Sequence, residues 1–162
     1  MKPLCLVMSL VLPFLVAARP PVPVADDPAL SAIGAFLALS VADIDASARW
    51  YSEKLGLKVT MRTSKTNGAR ATVLEGGGLV VELVEHDAAR PLSAISPGVK
   101  ESLYVHGIFK AGVIVSDFER TLTLLKARNA EIAFGPYPAR ADQRANVIVR
   151  DNAGNLIQFF GK

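Results

Sequence analysis

Apolar residues recur with two spacings along the chain, and the same succession of spacings occurs twice. In each half a strand-like apolar segment is followed by residues with helical spacing and then by three further strand-like segments. The three segments of each half are 57–62, 69–75 and 79–84 in the first, and 131–134, 144–150 and 155–160 in the second. Each half therefore predicts a βαβββ module.

The two halves align directly with each other. Residues 36–59, FLALSVADIDASARWYSEKLGLKV, lie over residues 110–132, KAGVIVSDFERTLTLLKARNAEI, which places Asp43 on Asp117. Both aspartates stand where a side chain accepts hydrogen bonds from the first free amides of a helix, so both are predicted N-caps. An internal repeat of this kind predicts two equivalent modules.

The predicted helices have matching apolar faces and matching ends. Gly56 and Asn129 are residue types that tolerate a left-handed backbone, and they are expected to end the two helices. The apolar positions recur at intervals of three and four residues. They are Ile44, Ala48, Tyr51 and Leu55 in the first helix and Phe118, Leu122 and Leu125 in the second.

The fold class predicted from this repeat is α+β, with paired βαβββ modules that form a curved mixed sheet around a cleft. Module one covers 33–84 and module two covers 106–161. The connector, 85–105, contains two prolines and a glycine, which favour a loop. A module with one helix covers only one face of its sheet, so two modules together are expected to enclose a shared cleft with the helices outside.

The first residues predict a targeting signal. The segment 1–18 has Lys2, an apolar run and a final pair of alanines, as in a secretory signal peptide. A Pro-rich linker is expected at 19–30, followed by the folded domain at 31–162. Cys5 would leave with the signal, so the mature protein would contain no cysteine. We expect an exported protein, periplasmic or secreted, with no stable membrane span after cleavage.

The charge balance argues against a nucleic-acid partner. The chain has 18 basic and 15 acidic residues, and loss of Lys2 with the signal would leave a net charge of about +2. The basic residues are scattered among acidic ones and form no stripe interleaved with aromatic rings. A small molecule is the expected partner.

The repeat, the pattern LSVADIDASARWYSEKLGLKV and the ending RDNAGNLIQFF resemble the vicinal oxygen chelate superfamily. This superfamily includes glyoxalase I, bleomycin-resistance proteins and extradiol dioxygenases. The resemblance implies a cleft in which metal-dependent members hold one divalent ion with residues of the first and last strand of each module. By position, the four places in this chain are Phe36, Glu82, Lys110 and Gln158.

Two of these four residues do not suit a metal ion. Phe36 has no donor atom, and an ammonium is a poor ligand, which leaves Glu82 and Gln158 as the only surviving candidate ligands. We therefore expect a ligand-binding cleft at the four residues without a cofactor, with a divalent metal as the alternative. A lone buried carboxylate is costly, so Lys110 is expected to pair with Glu82. In the alternative, Glu82 lies at the rim and Lys110 extends outward.

Two functions fit these residues. The first is an exported protein of the bleomycin-resistance type that binds a small molecule. The second is a glyoxalase-like lyase, isomerase or dioxygenase with an atypical metal site, or with Glu82 and Lys110 as catalytic acid and base. The sequence leaves open whether the protein is an enzyme. It also leaves open a homodimer formed by exchange of modules between chains.

Five further polar residues lie on predicted strands or near the connector. Arg62, Arg70 and Arg144 fall on predicted middle strands, where a solvated position is the commoner case and a cleft-facing position stays open. His86 and His106 lie at the ends of the connector and are expected to be solvated.

Overall fold

The protein is described by a computed structural model in which residues 34–162 are defined. The predicted signal peptide, 1–18, and the linker, 19–30, lie outside the described residues. Within the described part of the chain, no helix is both long enough and apolar enough to cross a membrane.

Each half of the chain forms one strand, one helix and three strands, as predicted. The first module consists of β1 (Phe36–Ser40), α1 (Ile44–Trp50), β2 (Lys58–Arg62), β3 (Ala69–Gly76) and β4 (Leu79–His86), and α1 continues as a π-helical turn at Tyr51–Leu55. The connector contains α2 (Leu92–Ile95) and a 3-10 turn at Ser102–Tyr104. The second module consists of β5 (Ala111–Val115), α3 (Phe118–Ala127), β6 (Glu131–Tyr137), β7 (Asn146–Arg150) and β8 (Leu156–Gly161).

The strands form two four-stranded mixed sheets with the same topology. Their orders are β1-β4-β3-β2 and β5-β8-β7-β6. In each sheet the first and last strands of the module are parallel, and the remaining pairs are antiparallel. The paired βαβββ architecture is therefore confirmed.

The helix ends follow the predicted capping residues. Asp43 accepts a hydrogen bond from the backbone amide three residues later at 2.8 Å, and Asp117 does the same at 2.9 Å. Each such cap is worth about 1 kcal/mol. Gly56 and Asn129 have φ angles of 75° and 52°, the left-handed conformation expected where the helices end.

The core lies between the helices and one face of each sheet. Strand alternation turns Val81 and Leu83 of β4 toward α1, and Ile157 and Phe159 of β8 toward α3. These side chains belong to one buried cluster that contains residues of both modules. Full burial of each large apolar side chain contributes about 1.5–3 kcal/mol.

The opposite face of each sheet carries no helix and is called here the open face. Large apolar side chains remain exposed on it. Phe36 of β1 is 62% exposed and Ile114 of β5 is 67% exposed. Met61 and Phe134 are exposed as well. All four predicted site positions belong to these open faces or to their edges.

Candidate functional site

A groove of about 250 Å³ lies between the beginning of β1 and the beginning of β5. Most of the side chains that line it are apolar. They include Phe36, Leu37, Leu39, Ile108, Phe109 and Leu156. Among the described lining residues, Lys110 is the only charged one.

Phe36 and Lys110 line this groove together. Phe36 is the first residue of β1, and Lys110 directly precedes β5. The Lys110 Nζ lies 5.2 Å from the centroid of the Phe109 ring, within the range of a cation–π contact. The groove therefore contains two aromatic rings, Phe36 and Phe109, and the Lys110 ammonium.

Glu82 occupies the middle of β4 on the open face of the first sheet. Its strand neighbours are Ala38 on β1 and Val73 on β3, and its side chain is partly buried. No ion pair involves Glu82 among residues 34–162. Its carboxylate therefore lies among small and apolar neighbours.

The predicted ion pair between Lys110 and Glu82 is wrong for the described structure. Lys110 stacks over Phe109, and no salt bridge within residues 34–162 joins it to an acid. The two residues belong to different sheets, since β4 is an inner strand of the first sheet and Lys110 precedes β5, an edge strand of the second. The repeat predicted equivalent positions in the two modules, but it contained no information about how the two sheets pack.

Gln158 is buried on β8, with 6% of its surface exposed. Its side-chain Nε2 donates a hydrogen bond to Asn146 Oδ1 on β7 at 2.9 Å. Its register partners are Gly112 on β5 and Ile148 on β7. Gln158 thus lies on the open face of the second sheet, whereas Glu82 lies on that of the first.

Comparison with protein families assigns this architecture. A sequence model of the Glyoxalase/Bleomycin resistance protein/Dioxygenase superfamily matches residues 33–159. The chain belongs to this superfamily. No curated protein sequence matches the chain.

Solved structures of superfamily proteins share the fold. A glyoxylase/bleomycin resistance protein/dioxygenase domain from Frankia sp. EAN1pec is 22% identical, with a TM-score of 0.62, and the match covers 82% of this chain and 98% of that one. A glyoxalase family protein from Enterococcus faecalis is 17% identical, with a TM-score of 0.61, and the match covers 77% and 94%. TnmS3, an antibiotic binding protein from Streptomyces sp. CB03234, is 17% identical, with a TM-score of 0.56 and coverage of 82% and 98%.

The four positions do not form the donor set of a superfamily metal centre. Phe36 supplies no donor atom, and the Lys110 ammonium repels a cation. Only two oxygen donors remain, one on Glu82 and one on Gln158, and two protein ligands hold a divalent ion weakly. Within residues 34–162, no group of three or more His, Cys, Asp or Glu side chains could hold a metal ion. The residues present therefore do not fit a resident divalent ion.

A second cavity, of about 230 Å³, lies on the helix side between the modules. Its lining includes the core residues Leu57, Leu125 and Phe159 together with Lys54 and Arg128. Arg128 Nη1 donates to the Lys54 carbonyl oxygen at 3.1 Å, so this cation already serves to join the two modules. None of the four superfamily positions lines this cavity, whereas Phe36 and Lys110 line the groove, which is therefore the better candidate site.

Arg62 and Arg70 do not face the groove. Both donate to Asp45 in the first turn of α1, at 3.0 and 3.2 Å, and Arg70 also binds the Glu85 carboxylate at 3.0 and 3.1 Å. The Arg70 hydrogen bonds, followed by one from the Ile44 amide, hold the pKa of Glu85 below its usual value. These arginines therefore fasten α1 to its sheet.

The remaining polar candidates lie at the surface. Arg144 is exposed just before β7, and His86 and His106 are exposed as predicted. His86 Nδ1 accepts a hydrogen bond from the Ala88 amide. None of the three lines the groove.

Asn146 is the residue that the sequence analysis missed. It is buried, and it contacts Gln158 through a hydrogen bond between side chains. The signal that could have found it is the antiparallel hairpin of β7 and β8, which brings position 146 close to position 158 on the same face. Asn146 lies within the predicted strand 144–150, but the sequence pattern gave no register between that strand and β8.

Proposed function

We propose that the protein is exported and binds a small aromatic molecule in the groove at Phe36 and Lys110, without a resident metal ion. The groove itself carries this proposal, since it combines apolar walls with a single cation. Ligand sites in proteins are typically apolar clefts that contain a few placed polar groups. Superfamily membership and the fold shared with an antibiotic binding protein agree with such a role.

The Lys110 ammonium favours a ligand with an anionic or electron-rich group. The ammonium contacts the Phe109 ring at the groove and has no acidic partner among residues 34–162. It can therefore bind a carboxylate or sulfonate of a ligand. A groove of about 250 Å³ suits a molecule of one or two fused rings. The expected ligand is therefore a small aromatic acid.

Ligand binding has more support than a reaction in which Glu82 and Lys110 act as acid and base. A metal-free reaction of the kind considered from sequence needs these two groups beside one substrate. Lys110 contacts Phe109 instead of Glu82, and Glu82 does not line the groove. The groove can hold a ligand at Lys110 without any contribution from Glu82.

The exposed apolar side chains of the open faces support a homodimer as part of this proposal. Phe36, Met61, Ile114 and Phe134 would leave water if a second copy covered these faces. The second copy would then form the far wall of the cleft. Sedimentation velocity would test this point, because a monomer at all concentrations would contradict it.

Fluorescence titration with anilinonaphthalenesulfonate, an aromatic anion, tests the binding function. We expect saturable binding at one site per chain, weakened about tenfold by Lys110→Met. Lys100→Met, a matched change at an exposed lysine of the connector, should leave binding unchanged. Absence of binding, or equal binding by both variants, would contradict the proposed site.

Product analysis and cell fractionation test the remaining parts of the proposal. Incubation with candidate substrates followed by mass spectrometry should detect no product, whereas turnover would favour the enzymatic alternative. Mass spectrometry of the exported protein should show that 1–18 has been removed.

A further inference from the structure

A pocket of about 390 Å³ lies at the end of β4 and is called here the β4 pocket. Its walls come from the end of β1, from the segment 85–91 and from Ala153 in the turn between β7 and β8, so both modules contribute to it. It shares no lining residue with the groove, and none of the four superfamily positions lines it. Its volume falls in the range of about 300–1,000 Å³ that is usual for small-molecule sites.

His86 lines the β4 pocket and has one nitrogen left to donate a hydrogen bond. Its Nδ1 accepts from the Ala88 amide at 3.0 Å. A neutral imidazole that accepts at one nitrogen carries its proton on the other, so Nε2 is a donor. The Ala89 amide donates to the His86 carbonyl oxygen at 2.9 Å, and this tight turn brings His86 and Arg90 into the lining of one pocket.

The Glu85 carboxylate, which also lines the β4 pocket, is balanced by neighbouring cations. Arg70 donates to it at 3.0 and 3.1 Å. Arg70 also binds Asp45, and Arg62 forms a second ion pair with that aspartate. These two acids and two arginines together carry no net charge.

The remaining charged residues leave one cation in excess at the β4 pocket. Asp87 forms an ion pair with Lys65. Arg90 has no acidic partner among residues 34–162. The pocket therefore offers one uncompensated guanidinium beside the His86 donor, which favours a ligand with a single negative charge.

We propose that the β4 pocket is a second ligand site and binds a small monocarboxylate. The planar guanidinium of Arg90 matches a carboxylate, which can accept two parallel hydrogen bonds from it. His86 Nε2 supplies a further donor. The site is independent of the proposed aromatic groove, because no residue belongs to both cavities.

Two matched probes, butyrate and butyramide, test the inference. They have nearly the same shape and differ in the negative charge. In NMR titrations, butyrate should shift the backbone amides of Ser40, Ala153 and the segment 85–90. It should bind at least about tenfold more tightly than butyramide, because only the carboxylate gains a charged partner in Arg90.

Variants with matched controls assign the binding to Arg90 and His86. Arg90→Met should weaken butyrate binding at least about tenfold, and His86→Phe at least about fivefold. Arg140→Met and His106→Phe make the same changes at exposed residues outside the pocket and should leave butyrate binding unchanged. Arg90→Met should also keep the wild-type affinity for anilinonaphthalenesulfonate, since Arg90 does not line the groove.

The outcomes distinguish this site from the groove. Equal binding of both probes, an undiminished affinity in Arg90→Met, or tighter binding of inorganic phosphate than of butyrate would overturn the monocarboxylate site. Butyrate shifts confined to the groove at Lys110 would overturn it too, while leaving the groove as a binding site. Butyrate shifts at the β4 pocket without any binding of anilinonaphthalenesulfonate would support this inference and contradict the proposed groove.

Discussion

The hydroxyl of Tyr51, in the π-helical turn that continues α1, donates a hydrogen bond of 2.9 Å to Asp151 Oδ2, 100 residues further along the chain. Both residues are buried. Asp151 also accepts from the amides of Ala153 and Asn155 and from the Asn155 side chain, so its carboxylate shapes the turn between β7 and β8. One buried carboxylate thus joins the helix of the first module to a turn of the second.

Removal of the Tyr51 hydroxyl should weaken this junction. Tyr51→Phe retains the ring but leaves Asp151 with one hydrogen bond fewer in a buried place. We expect the free energy of unfolding to fall by about 1.5–3 kcal/mol, the range for a hydrogen bond to a charged group. Urea denaturation measures the change. Tyr104→Phe, at an exposed tyrosine, is the control, and an equally small effect of both changes would contradict this role.

The same pair makes stability sensitive to alkali. Burial, followed by the Asp151 charge, raises the pKa of Tyr51 well above its ordinary value of 10.0. Folded Tyr51 therefore stays protonated where the unfolded residue ionises, and its contribution is complete below about pH 10 and lost as the pH rises further. The stability advantage of wild type over Tyr51→Phe should shrink by up to about 1.4 kcal/mol per pH unit above about pH 10. A constant difference up to pH 12 would contradict this assignment.

The repeat in the sequence was sufficient to predict the modules. Asp43 and Asp117 act on the amides of their own helices, and the apolar alternation of β4 and β8 decides locally which side chains face the helix. Such features depend on neighbours a few residues away. Interactions between residues close in the sequence were therefore sufficient to predict the helices and strands and their order.

Contacts between elements distant in the sequence could not be predicted in this way. The predicted pairing of Glu82 with Lys110 depended on how the two sheets pack, and no local pattern encodes that packing. The contact between Tyr51 and Asp151 depends on how the two modules pack, and Tyr51 was predicted only as an apolar position of the helix. The contact between Asn146 and Gln158 required the register of β7 and β8.

The ion pair between Arg70 and Glu85 should stabilise the fold at neutral pH and lose its effect in acid. Glu85→Gln retains an acceptor for the Ile44 amide but loses the charge that binds Arg70. Because the folded pKa of Glu85 is lowered from 4.5, its contribution is present above that pH and disappears as the pH falls through the folded value. Wild type should be the more stable protein at pH 7, and the two should converge in acid.

A matched change and a thermal scan check this result. Glu101→Gln, at an exposed acid without an ion pair in the described structure, should behave like wild type across the range. A gap between wild type and Glu85→Gln that widens in acid would contradict the lowered pKa.

Chelation tests the proposed absence of a resident metal. Prolonged dialysis against EDTA should change neither the thermal midpoint nor the affinity for anilinonaphthalenesulfonate, since Glu82 and Gln158 are only two donors and cannot bind one ion tightly. Elemental analysis should find less than one equivalent of zinc, manganese, nickel or iron per chain. A stoichiometric ion whose removal lowers the midpoint would overturn the metal-free account.

The most direct test of the ligand groove between β1 and β5 is a map of binding on the folded chain. In NMR titration with anilinonaphthalenesulfonate, backbone amide shifts are predicted for the residues that line the groove, at the beginnings of β1 and β5 and at Leu156. Shifts confined to the helix-side cavity at Lys54 and Arg128, or no saturable shifts at all, would contradict the account.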